Sequence, residues 1–191
     1  MKKFLSALIL LMIFSSSAFG ISASELKLMS TFISNFTEVG MNDFEIDEIS
    51  NSELIRFGIW HNWVNNFKSR IQKCPDKNCS HGSFIIDKKY VAESVEKYFE
   101  LEIEEHQSVE GNQNLGHYDG KKYYHFEGAD GECVLAKVYD IEKNGRIIIM
   151  RGETYYPDHE DLEGKSFIAT AKPYKYNGKN TWSILSLHVK D

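Results

Sequence analysis

The chain has 191 residues, with 22 basic and 28 acidic side chains, three cysteines and a formal charge of −6. That length suits one ordinary domain and is enough to bury a real core. An acidic chain with no basic stripe is a poor partner for nucleic acid, where Lys and Arg on phosphate supply most of the affinity.

In chain order, residues 1–20 show the three zones of a secretory signal: Lys2 and Lys3, the apolar run 4–14, and a Ser-rich stretch closing on the small residues Ala18 and Gly20. Cleavage is expected after Gly20, with Ala23 as the second choice. Residues 21–191 then form a single exported domain in which 20 bases face 28 acids, a charge of −8. The apolar run is too short for a permanent anchor, and no later segment approaches the ~20 apolar residues of a spanning helix. No membrane attachment is expected once the signal is removed.

Ser24 is placed to cap a helix whose Met29, Phe32, Ile33 and Phe36 share one face, with Gly40 ending it. The acidic link 41–49, with Phe44 and Ile46, reads as an extended connector. Ser50 and Glu53 form a capping box, after which Ile55, Ile59, Trp63, Phe67 and Ile71 recur every fourth residue. This predicts a long helix over 52–72 lying across a sheet as the main core helix. On it, His61 has Trp60 beside it and Asn65 one turn later, so it is the candidate catalytic residue, a general base. Its angle of roughly 160° to 200° from the buried stripe equally suits a side chain in solvent.

Cys74 and Cys79 frame Cys-Pro-Asp-Lys-Asn-Cys. Outside a reducing cytoplasm such a pair oxidises, and closing so short a loop stabilises by roughly 2 kcal/mol on the chain-entropy model. A metal reading would add His81, but a fourth ligand is missing nearby. A disulfide is therefore expected, with no metal and no cofactor. Segment 83–86 is a short strand candidate. Asp87 then caps a third helix carrying Val91, Val95, Tyr98 and Phe99, and 104–116 is polar and irregular.

Three turn signals follow, Asp119-Gly120, Asn144-Gly145 and Asn177-Gly178, each between β-branched and aromatic residues. They predict an antiparallel meander of about six strands. On the first hairpin His117, Asp119, Tyr123, Tyr124 and His125 cluster as surface or rim contact residues, with His117 across from Lys122 and on the face opposite Tyr123. A two-residue turn at Asn144-Gly145 pairs Ile141 with Ile148, Tyr139 with Met150, Leu135 with Thr154 and Cys133 with Tyr156, which places Cys133 in the core. The third turn puts Phe167, Ala169, Ala171, Trp182 and Ile184 on one face, with His188 opposite Phe167. Asp158, His159, Glu160, Asp161 and Glu163 crowd one connection but lack the spacing of a calcium loop, so a solvated acidic loop is favoured.

The order helix, long helix, short strand, helix, meander resembles the nuclear transport factor two-like and cystatin-like superfamily. That resemblance implies an α+β cystatin-like roll: three amino-terminal helices packed on a curved antiparallel sheet, with a pocket that members use for catalysis, binding or assembly. The loop from Cys74 to Cys79 also resembles the protruding disulfide loop of the periplasmic inhibitors of vertebrate lysozyme, although it lacks the histidine of that family's Cys-Lys-Pro-His-Asp-Cys pattern and follows a helix. No phosphate-binding loop, nucleophile elbow or paired-histidine zinc helix is present. The first expectation is a non-enzymatic exported domain that binds a protein, peptide or glycan partner through Trp60, Asn65, His117, Tyr123, Tyr124 and His125. The alternatives are an inhibitor or immunity protein against an envelope-directed hydrolase, and a small pocket enzyme using His61.

Overall fold

A computed structural model describes residues 21–76, 79–109, 116–125, 133–159 and 161–190; the expected export signal lies outside them. The chain is α+β, with three helices and two antiparallel sheets among the described residues. Helix α1 spans Ala23–Thr37 and is capped by Ser22, two residues before the expected Ser24, because the Ser22 hydroxyl accepts from the Glu25 amide. Met29, Phe32, Ile33 and Phe36 are its buried stripe, as the spacing predicts. Gly40, at a φ of +75°, turns the chain out of the helix.

The acidic connector holds a three-residue strand, β1 (Asp43–Glu45), and the capping box of Ser50 and Glu53 opens α2 (Asn51–Asn66). This helix stops six residues short of the expected end. Phe67 leaves it in an extended conformation, Lys68 takes a φ of +73°, and the Asn66 carbonyl accepts the amides of Ser69 and Arg70. Ile71 thereby joins β2 (Ile71–Lys73) and pairs with Ile86 of β3 (Phe84–Asp87). Asp87 caps α3 (Lys88–Phe99) as expected.

Apolar residues lie on two sides of α2. Ile55 and Ile59 join Ile71, Phe84, Ile86, Val91 and Tyr123 in one cluster, with Trp63 packed against it. Leu54 and Phe57 join the α1 stripe, Val95, Phe99 and the larger sheet in the other. Glu53, Arg56 and Val64 lie on the exposed strip of α2, and His61 lies outside it on the second buried side. Where α2 meets α3, Gly58 allows the closest approach, since a Cβ there would lie 2.6 Å from Val91 Cγ1 and 2.7 Å from the Val91 carbonyl. Next to it the fully buried Asn62 side chain donates to the carbonyls of Gly58 and Tyr90, contacts the Ser94 hydroxyl and accepts from Arg70.

The remaining strands are β4 (His117–Tyr118), β5 (Lys122–His125), β6 (Leu135–Asn144), β7 (Ile147–Tyr155), β8 (Ser166–Tyr176) and β9 (Lys179–Val189). The larger sheet runs β1-β9-β8-β7-β6 and the smaller β2-β3-β5-β4. The meander therefore has four strands and not six, because the first hairpin pairs with β3 in the second sheet. The Asn177-Gly178 turn holds as predicted, with Tyr176 opposite Lys179 and both turn residues at positive φ. In the other two hairpins the turn moves on by one, to Gly120-Lys121 and Gly145-Arg146, since glycine leads a turn whose first central residue needs positive φ. His117 thus faces Tyr124 and Ile141 faces Met150.

Two bulges complete the correction. One between Val138 and Asp140 reverses the faces of the rest of β6, so Ala136 and Val138 point inward while Tyr139 is 49% exposed and Cys133 is exposed. The other, between Thr170 and Ala171, sets Phe167 opposite Val189 and His188 opposite Ile168. The outer edge of β6 is closed by α1. Ser34 and Ser30 hydroxyls each accept a backbone N–H, from Ala136 and Val138 respectively, at 2.9 Å, and Thr37 donates to the Val134 carbonyl at 2.7 Å. A row of hydroxyls one turn apart thus satisfies an edge that would otherwise template strand addition.

Candidate functional site

The expected site residues fall on different sides of α2. His61 and Asn65 point toward α1 and α3, whereas Trp60 and Trp63 lean on His125 in the smaller sheet, at ring separations of 6.1 and 4.8 Å. His61 is 4% exposed, lies flat on Phe57 at 5.3 Å and meets the edge of Tyr98 at 4.7 Å. Burial, then the positive charges of Lys97 and Arg70, push its pKa down to about 3. Asn65 does partner it, its amide 3.2 Å from His61 Nδ1, and the same amide donates to the Glu38 carboxylate. An amide donating to both fixes His61 as the neutral tautomer with its proton on Nε2. An imidazole in that state does not take up a proton near neutral pH, so the geometry argues against a general base at this position.

On the smaller sheet Tyr123 is fully buried rather than at a rim, with its hydroxyl hydrogen-bonded to His106 Nδ1 at 2.8 Å, and His125 is also fully buried. His117 and Tyr124 remain at the surface. His117 stacks on His81 at 3.7 Å beside the Cys74–Cys79 disulfide, and Tyr124 donates to Asp119. Packing between β5 and α2 drives this split, because alternate residues of a strand take opposite faces. His188 is held between Asp43 at 2.6 Å and Glu45 at 2.8 Å, and those carboxylates raise its pKa. The thiol of Cys133 is pushed up by partial burial and then by the charges of Glu38 and Asp158, which keeps it protonated and a weak nucleophile. No cluster of three or more metal-ligating side chains occurs among the described residues, and Glu160 lies outside them.

One concavity lies where the sequence did not single out a site. It is an open cleft of about 840 Å³ between α1, the end of α3 and the far hairpins of the larger sheet. Trp182, Tyr174, Pro173 and Leu28 supply its apolar surface, Arg146 from the β6–β7 turn and Lys175 its cations, while Glu100, Asn180 and Thr181 complete the lining. Trp182 is held on one side by the core, and Leu28 is 57% exposed. Arg146 and Lys175 form no ion pair among the described residues, whereas Glu100 is taken up by Lys172 at 2.7 Å. Burial, followed by the charges of Glu96 and Glu100, raises the Tyr174 pKa and keeps its hydroxyl as a donor. Flat aromatic surface with a few fixed polar groups orients a ligand, and the lining offers no nucleophile and base in contact. Leu28, an apolar residue off the buried stripe of α1, is the sequence signal that could have drawn attention here.

No protein-family model, no curated protein and no solved structure matches this chain. The disulfide bears on compartment, since such bonds persist where the medium is oxidising. No helix among the described residues is long and apolar enough to cross a membrane.

Proposed function

We propose that this protein is an exported, non-enzymatic binding domain that takes an extended anionic ligand, an acidic peptide or an acidic glycan, in the cleft around Trp182. The observation that carries it is a pair of uncommitted cations, Arg146 and Lys175, beside an aromatic wall on a chain of otherwise acidic character. A carboxylate meeting Arg146 forms a charge-assisted, potentially two-pronged contact, and a sugar or side-chain face packs on the indole. Two cations on an acidic chain are too few to hold a nucleic-acid backbone. Export rests on the 1–20 segment and on the disulfide. The cystatin-like roll belongs to the same reading, and the two bulges in the larger sheet support it, since bulges bend the strands that carry them.

Calorimetric titration with acidic peptides and uronic-acid oligosaccharides tests it. Binding that weakens about tenfold in Trp182→Ala and in Arg146→Ala, and falls with added salt, supports the reading. Failure of both ligand classes to bind, or binding indifferent to both substitutions, overturns it. Amino-terminal sequencing of the protein recovered outside the cytoplasm should begin at Ile21, and retention of Met1 would remove the export reading.

A further inference from the structure

A second concavity, of about 310 Å³, lies on the other flank of α1, against the start of β6 and the end of β7. Glu38, Asn35 and Thr31 line it from α1, Asn65 from α2, and Leu135 and Tyr155 from the sheet. Glu38 is half-buried, and among the described residues no cation pairs with its carboxylate. Among the described residues its carboxylate has one hydrogen-bond partner, the Asn65 amide, which is itself fixed by His61. Glu38 is also the C-cap of α1, where the helix dipole disfavours a negative charge and favours a positive one. A carboxylate placed against both burial and dipole, with no cation of its own, is a costly arrangement for structure alone.

We propose that this groove recognises a primary ammonium group on an unbranched alkyl stem, a lysine side chain or a free alkylamine, with Glu38 as its counter-ion. Asn65 occupies one side of the carboxylate, so a single face remains. A compact ammonium suits that better than a guanidinium, whose fork engages both oxygens. Leu135 and the Tyr155 ring offer an apolar wall for the methylenes, and an aromatic face also favours a cation. The neighbouring Asn35 side chain is already committed to Tyr98 and to backbone carbonyls, which leaves Glu38 as the recognising group. Lys27, the other charge lining the groove, lies three turns away along α1, about 16 Å, too far to neutralise Glu38. Burial raises the Glu38 pKa against the lowering effect of the Asn65 hydrogen bond, and an ammonium paired with the carboxylate would lower it again.

The test follows the Asn65 side-chain amide by NMR at pH 7.5 during titration with n-butylammonium, with n-butanol, and with a short peptide bearing one lysine. Butylammonium should shift the Asn65 signal and butanol should not. A peptide binding at least tenfold tighter than butylammonium identifies a protein partner, and equal affinities identify the free amine as ligand; either outcome supports the site. Glu38→Gln should weaken amine binding at least tenfold while folding with an unchanged or higher melting temperature, and Trp182→Ala should leave amine binding as it was. Equal shifts from butanol and butylammonium, or amine binding that survives Glu38→Gln, would overturn the proposal without touching the cleft.

Discussion

Gly58→Ala should destabilise the protein even though alanine is the better helix former. The new methyl would lie 2.6 Å from Val91 Cγ1, 2.7 Å from the Val91 carbonyl oxygen and 3.1 Å from its Cα, where carbon contacts ordinarily begin near 3.5 Å. Two of those three atoms are backbone, and the valine rotamer is stiff in a helix, so a side-chain rotation does not relieve the overlap. Helix α3 must move back by several tenths of an ångström. That motion stretches the Asn62 contacts to the Tyr90 carbonyl and the Ser94 hydroxyl, at 3.0 and 2.8 Å. Overpacking costs roughly 1–3 kcal/mol, and backbone atoms in the overlap put this site in the upper part of that range, about 2–3 kcal/mol, of which the gain in helix propensity returns about 1 kcal/mol. The net loss is about 1–2 kcal/mol, which lowers the melting temperature by roughly 3–6 °C in a domain of this size. Urea unfolding followed by circular dichroism measures it, with the midpoint falling at constant slope. A Gly58→Ala protein as stable as the parent, or more stable, would show that the two helices do not meet closely at that position.

Ser34→Ala should cost about 1–2 kcal/mol in the same assay by leaving the Ala136 amide unpaired at the β6 edge, and an unchanged midpoint would mean that water replaces the hydroxyl. His61 should show no imidazole titration by NMR between pH 5 and 8, its folded pKa being about 3. Because the unfolded chain protonates it near 6.5, stability linked to His61 is complete above that pH and is lost as the pH falls toward 3; a His61 titration near 6.5 would contradict the burial. His188 works with the opposite sign. Its pKa is raised by Asp43 and Glu45, so its contribution is complete below about 6.5 and is lost as the pH rises through the higher folded value. The stability difference between the parent and His188→Gln should therefore shrink as the pH is raised, and a difference independent of pH would refute the clamp on β1.

The elements legible in the sequence were those with one clean period. The α1 stripe and the caps of α2 and α3 were read correctly, as was the Asn177-Gly178 turn, where both residues adopt the positive φ that Asn and Gly tolerate. Helix α2 was misread because it has two buried sides. Leu54, Phe57 and His61 form the second at spacings of three and four, and the polar third member hid it. The β6 bulge had a quieter mark. Val138 and Ile141 are both buried, yet residues three apart in a regular strand take opposite faces, so an extra residue must lie between them. A β6 without the bulge would carry Cys133 into the core, whereas with it the residue is exposed. The Asn65 link to His61 followed from helical spacing, whereas Glu38 and Arg146 reach their sites through tertiary contacts that no local pattern encodes.

Both candidate sites depend on α1 being held still. The helix lies between the cleft, which Leu28 lines, and the groove, which Thr31, Asn35 and Glu38 line. Its apolar stripe alone would let it slide along the sheet, since burial of hydrophobic surface is non-directional. The hydroxyls of Ser30, Ser34 and Thr37 remove that freedom, because each bonds one particular backbone group of the chain from Val134 to Val138. The ion pair of Glu25 with Lys143, at 2.8 Å, holds the other end. A helix registered this way presents Leu28 and Glu38 at fixed positions, so a ligand bears little ordering cost and the affinity of either site reflects its own contacts. The same fixing separates the two sites: a groove ligand that leaves these three hydroxyl contacts in place leaves Leu28, and with it the cleft, where it was.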